Sequence, residues 1–139
     1  MYRRILVASD GSPGAARALE AAIALAKLAA APLHMITVEE LPRFPASIDE
    51  VEEEKSEAEH RLRPALEEAR ARAKAAGIEL EVHLVPGHVV AAVVEFVKTH
   101  AIDLLVVGFM GHSELYERII GGTADRLVRL APCAVLVVK

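Results

Sequence analysis

Ile5-Leu6-Val7-Ala8-Ser9-Asp10-Gly11-Ser12-Pro13 decides how the rest of the chain is read. Four apolar residues without alternation make a short strand buried on both faces. Ser12 then offers a side-chain cap, and Pro13 takes the first helical position, where its missing N–H costs nothing. An Ala-rich helix follows to about Ala30, and Pro32 stops it. A buried strand running straight into a helix is half of a crossover unit, and the pattern repeats along the chain. Leu33–Val38, Leu80–Val85, Asp103–Val107 and Ala134–Val138 are further apolar runs, Leu80–Val85 half-alternating as suits a strand near a sheet edge. Helical patterns separate them, from about Asp49 to Gly77, from Val89 to His100 and from Thr123 to Leu130.

Several details accompany this reading. In the long second helix Val51, Ala58, Leu62, Leu66, Ala69, Ala73 and Ala76 share one face. Its early glutamates and late Arg70, Arg72 and Lys74 suit the helix dipole, and Pro64 is expected to kink or divide it. Val90, Val93, Val94 and Val97 form the inner face of the third helix. Glu39–Ser47, with Pro42 and Pro45, reads as a surface excursion, and Pro86-Gly87-His88 as a turn. Five strands alternating with helices predict one α/β domain over residues 1–139, a parallel sheet covered on both faces. Such sheets bind ligands beyond the carboxyl ends of their strands, so Asp10, Val38 and Gly108 fall on one rim.

Composition narrows the function. The net charge of −4, with basic residues scattered singly, speaks against nucleic-acid binding. Cys133 is the only cysteine, which excludes a disulfide framework and a thiolate metal cluster; it reads as a small hydrophobe. His34, His60, His83, His88, His100 and His112 show neither H-x-x-x-H nor H-E-x-x-H spacing, so no metal site is expected from neighbouring ligands. Ala15–Ala31 is the richest apolar region, but Arg17, Glu20 and Lys27 make it a core helix rather than a membrane span. With no signal peptide in view, a reduced, cytoplasmic protein is expected.

The segment Val106-Val107-Gly108-Phe109-Met110-Gly111-His112, continued to Ile120-Gly121-Gly122-Thr123, carries the chemistry. Glycines leave backbone N–H groups uncovered, and the helix start at Thr123 adds unpaired donors and the positive end of a dipole. No Lys follows Gly121-Gly122, which rules out a P-loop, and no G-x-G-x-x-G follows the first strand. Loop architecture and anion binding both explain these glycines. Asp10 is likewise open between an Asx turn and a ligand contact. His112 and His88 read as ordinary surface histidines, although His112 lies within reach of a phosphate held at Gly111.

Gly108-x-x-Gly111, nine residues, then Gly121-Gly122-Thr123 resembles the G-2x-G-9x-G-[ST] nucleotide motif of the universal stress protein family. Ile5–Ser12 is similar to that family's opening signature, and Gly111-His112-Ser113 and Ala131–Val138 to its second half. The resemblance implies a Rossmann-like open sheet of order 3-2-1-4-5, the adenine nucleotide alpha hydrolase-like fold, and a dimeric stress-response regulator or adaptor that binds ATP, ADP or AMP, compatible with Mg2+ on the nucleotide. Residue by residue, it implies backbone at Ala8, Ser9 and Val38 against adenine and Asp10 accepting from the ribose or base. Val107 and Gly108 would border the sugar and phosphates, and Gly111, Gly121, Gly122 and Thr123 would cradle the phosphates with His112 beside them. It also implies a homodimer through Ala134–Val138, an apolar edge with few blocking charges.

Two departures stand out. Gly122 occupies a position where the nucleotide-binding branch usually carries Ser or Thr, so a hydroxyl worth roughly 1.5–3 kcal/mol against a charged acceptor is lost unless Thr123 replaces it. Phe109-Met110 replaces small and basic residues, with Met110 expected to pack on a neighbouring helix. The family's other branch, a partner-binding dimer without nucleotide, is the alternative. Catalysis is not expected: Glu114, Glu117 and Asp125 stand at no spacing that demands a water-orienting role, and slow ATP hydrolysis is the leading form of the catalytic alternative.

Overall fold

The computed structural model describes residues 1–40, 48–109 and 122–139. Among these, nine elements follow in order: β1 (Ile5–Ala8), α1 (Pro13–Ala29), β2 (Leu33–Glu40), α2 (Ile48–Ala75), β3 (Leu80–Gly87), α3 (Val89–Thr99), β4 (Leu104–Gly108), α4 (Thr123–Leu130) and β5 (Ala134–Val138). The strands form one sheet of order β3-β2-β1-β4-β5, every neighbouring pair parallel. Successive side chains of a strand point to opposite faces, and the central strands are apolar at every position because both faces are covered.

Two hydrophobic layers result. On one face Ile5, Val7, Met35, Leu104 and Val106 pack against Ala18, Leu19, Ala22 and Ala26 of α1 and Ala69 and Ala73 of α2. On the other, Leu6, Ile36, Leu105 and Val107 pack against Val93, Phe96 and Val97 of α3 and Leu127 of α4. Small residues on α1 let it lie close to the sheet, as the Ala-rich sequence required. Arg72 ties α2 to α1 with a bond of 2.7 Å to Glu20, and a second bond of 3.2 Å to Glu68 holds its guanidinium within α2.

The helices end by one device. In α1, α2 and α3 the N–H of Ala31, Ile78 and Ile102 returns to the carbonyl of Ala26, Ala73 and Val97, five residues back. Gly77 supplies the left-handed residue this needs after α2, as expected, but Ala30 and Ala101 supply it after α1 and α3. The cap at Ala30, not Pro32, ends α1.

Other boundaries depart from expectation. α2 runs unbroken across Pro64. Proline removes one helical hydrogen bond, and exposed Pro64 leaves that loss to water while Leu66, Ala69 and Ala73 hold the helix to the sheet. Pro86-Gly87 is not a turn but the end of β3, aligned with Glu39 and Glu40 of a β2 two residues longer than expected. An edge strand tolerates proline because a donor on its open side has no partner to lose. On α3, Phe96 joins Val93 and Val97 in full burial, and Val90 and Val94 are half-buried. Met110 and the side chains of Val51 and Ala58 lie outside the described residues. No described helix is long and apolar enough to cross a membrane.

Candidate functional site

At the carboxyl rim, β1 delivers Ala8 and Ser9, and the Ser9 N–H donates to the Ile36 carbonyl at 3.0 Å. The next three residues are held by their own hydrogen bonds. Asp10 Oδ1 accepts from the Ser12 N–H at 2.9 Å, and Ser9 Oγ accepts from the Gly11 N–H at 3.2 Å. Gly11 turns the chain in the left-handed region at φ 80°. Buried Ser12 then caps α1, its Oγ accepting from the Ala15 N–H at 3.2 Å. The Asx-turn reading of Asp10 is therefore realised, while its side chain stays exposed at the rim.

Val38, two residues before the end of β2, and Val107-Gly108 at the end of β4 lie on the strands that flank β1. The Val107 side chain is sealed in the layer beneath α3 and α4, so it meets the rim through its backbone. Gly108 has a packing reason to be glycine. A β-carbon there would lie 2.8 Å from the Gly14 carbonyl oxygen in the first turn of α1. Phe109 continues the β4 pairing through its N–H to the Val138 carbonyl at 2.9 Å, and Lys139 Nζ lies 5.5 Å from its ring.

α4 runs back from this rim to the start of β5, so its amino end faces the same way as Gly108. Gly122 is its N-cap, extended at φ −69° and ψ −168°, and has no side chain to accept a bond from the helix start. The first-turn N–H groups are thus uncapped by any side chain at this position, and half-buried Thr123 stands beside them. Of the expected site residues, Ala8, Ser9, Asp10, Val38, Val107, Gly108, Gly122 and Thr123 are described; Gly111, His112 and Gly121 lie outside the described residues. Cys133, expected to act as a small hydrophobe, is half-buried against the α3/α4 layer, and its desolvation pushes the thiol pKa up.

The opposite end of the sheet holds a constellation that local spacing did not suggest. The β2–β3 register sets His34 opposite Glu81 and Ile36 opposite His83, so His34, Glu81 and His83 share one face. His34 Nδ1 lies 3.3 Å from His83 Nε2 and 3.3 Å from Glu81 Oε2, and His83 Nε2 lies 3.8 Å from Glu81 Oε1. His100, at the end of α3, stacks on Phe96 at 3.8 Å, its ring centroid 5.8 Å from that of His83. Desolvation lowers the pKa of both His34 and His83 against the opposing pull of Glu81. The available signal was Glu81-x-His83 on one strand with a histidine on the next.

The chain matches the universal stress protein family over residues 1–139. It is 32% identical over 133 residues to universal stress protein Slr1230 of Synechocystis, a match covering 96% of this chain and 41% of that one. The chain thus spans about two fifths of that relative's length. Among solved structures, it is similar to a universal stress protein in complex with cAMP, with TM-score 0.80, 31% identity, and 99% and 97% of the two chains covered. It is also similar to the Archaeoglobus fulgidus universal stress protein in complex with dAMP, with TM-score 0.70, 26% identity, and 99% and 98% coverage. Sheet order, chain-wide match and these neighbours agree: the chain belongs to the universal stress protein family.

Proposed function

We propose that this protein is a nucleotide-responsive regulator that binds ATP, or its di- or monophosphate, across the carboxyl rim and works as a dimer. The observation that supports this reading is the convergence of the β1 loop at Ala8–Asp10, Val38, Gly108 and the start of α4, whose N-cap Gly122 offers no side chain, at one end of the sheet. In this reading adenine lies against the backbone of Ala8, Ser9 and Val38, and Asp10 accepts from the ribose. Val107 and Gly108 border the sugar. Gly111, Gly121, Gly122 and Thr123 surround the phosphates with His112 alongside, and any Mg2+ arrives with them. The relatives in complex with cAMP and dAMP support the adenine preference.

Binding without turnover is the expected activity. The test is calorimetric titration of the full chain with ATP, ADP, AMP and cAMP. Saturable binding supports the reading; a folded protein that binds none of them at millimolar nucleotide refutes it. The alternative, a partner-binding dimer that needs no nucleotide, is favoured by Gly108, whose lack of a side chain is already used against Gly14. In both readings β5 pairs with β5 of a second copy.

A further inference from the structure

We propose that His34, Glu81 and His83 form a divalent transition-metal site, suited first to Zn2+, at the β2–β3 edge. The geometry carries it. Metal–nitrogen bonds of about 2.0–2.1 Å in a tetrahedron set neighbouring donor atoms about 3.3 Å apart. His34 Nδ1 stands 3.3 Å from both His83 Nε2 and Glu81 Oε2. All three groups offer a donor atom within 4.8 Å of the others.

Hydrogen bonding alone serves this arrangement poorly. A neutral imidazole has one N–H, and an ionised carboxylate has none. His34 Nδ1 faces a ring nitrogen and a carboxylate oxygen at equal distance, and a single proton bonds well to only one. A cation among the three would take one lone pair from each group at once.

The surroundings suit a bound ion. His34 and His83 are 13% and 22% exposed, whereas Glu81 is 66% exposed, so the site has an apolar floor and an open side. Phe96 packs edge-on to His83 at 4.7 Å and limits ring rotation. His100 Nδ1 lies 3.2 Å from the Phe96 carbonyl, in the arrangement in which it donates, and its ring borders the site without reaching it. The nearest cation, Arg4, is turned to the His100 carbonyl at 2.9 Å. Two imidazoles and a carboxylate with an unfilled fourth position favour Zn2+ over Mg2+ or Ca2+, which prefer all-oxygen shells. The register puts His34 at the second residue of β2, away from the nucleotide rim beyond Val38, so this site and the proposed nucleotide site stand or fall separately.

The test is titration of the chelator-treated full chain with ZnCl2, and with CoCl2 as a spectroscopic probe. One ion per chain is expected, with the intense visible absorption of tetrahedral Co2+. His83→Gln and Glu81→Gln each remove a ligand, so each should weaken Zn2+ by at least the roughly 10–100-fold known for loss of an outer-shell partner. Glu81 is exposed, so its variant keeps the test valid where a histidine variant fails to fold. His60→Gln, on the exposed face of α2, should leave affinity unchanged. Absence of Zn2+ binding at submillimolar metal overturns the proposal, as does binding that Glu81→Gln and a folded His83→Gln leave unaltered.

Discussion

Gly108 at the end of β4 and Gly14 in the first turn of α1 approach so closely that a β-carbon on Gly108 would meet the Gly14 carbonyl oxygen at 2.8 Å. The obstacle is backbone, so neither side chain nor rotamer can relieve it. Gly108→Ala is expected to destabilise the protein by about 1–3 kcal/mol through forced backbone movement. Gly77→Ala is a useful contrast: it meets no atom within 4 Å and carries only the strain of φ 81°, about 1–2 kcal/mol. Urea unfolding of both variants checks this, and only Gly108→Ala should also disturb the rim.

Ala30 does at the end of α1 what Gly77 does after α2, with φ 51° and an alanine side chain. Ala30→Gly removes the left-handed penalty but gives the unfolded chain more freedom. The first effect is the larger, about 1–2 kcal/mol against roughly 0.4–1 kcal/mol. A net gain of up to about 1 kcal/mol is expected, visible as a raised urea midpoint with unchanged slope.

Asp103 latches the amino-terminal segment to β4, its two oxygens accepting from the Arg3 N–H at 2.7 Å and the Arg4 N–H at 2.9 Å. Partial desolvation pushes its carboxyl upward, but these donors outweigh it and hold the pKa below the usual value. A depressed folded pKa means the stabilisation is complete above the unfolded value, about 3.9, and drains as pH falls through the folded value. Asp103→Asn should cost about 1–2 kcal/mol at pH 7. Denaturation across pH 2–7 should show parent and variant converging only at the acid end.

Asp10 holds the Asx turn through its Oδ1, and this observed role can be separated from the proposed ligand contact. Asp10→Asn keeps an oxygen for the Ser12 N–H yet loses the charge. Stability should stay within about 0.5 kcal/mol while adenine-nucleotide affinity drops about tenfold or more, the scale of a hydrogen bond to a charged group. Calorimetry beside thermal unfolding reads both quantities, and equal affinity for the variant would remove Asp10 from the ligand.

Leu136 is an exposed apolar side chain on β5, at the open edge of the sheet. Leu136→Lys adds a like charge on each side of a paired edge and should shift a dimer toward monomer in sedimentation, with little loss of fold.

The strands were legible because a strand covered on both faces is apolar throughout, as in Ile5–Val7 and Leu104–Val107. The rim was legible in part for the same reason: the ends of β1 and β4 locate Asp10 and Gly108, whereas β2 runs two residues past Val38. Glu39, Glu40, Pro86 and Gly87 misled because they look like loop, and only pairing between β2 and β3 keeps them extended. Pro64 misled in the other direction, local chemistry yielding to the packing of Leu66, Ala69 and Ala73 that follow it. The histidine cluster was illegible to local spacing because His34 and His83 stand 49 residues apart and meet only through strand register.

The two edges of the sheet are unlike, and that limits how copies can add. On β3, the outer strand presents an exposed glutamate at Glu81 and a residue without an N–H at Pro86. On β5, the outer strand Ala134-Val135-Leu136-Val137-Val138 is apolar throughout. Charge and proline discourage further pairing at the first edge, while the second remains receptive. A molecule with a single receptive edge exhausts it on meeting its own kind. Under the proposed β5 pairing, growth would terminate at the pair rather than run on into fibres.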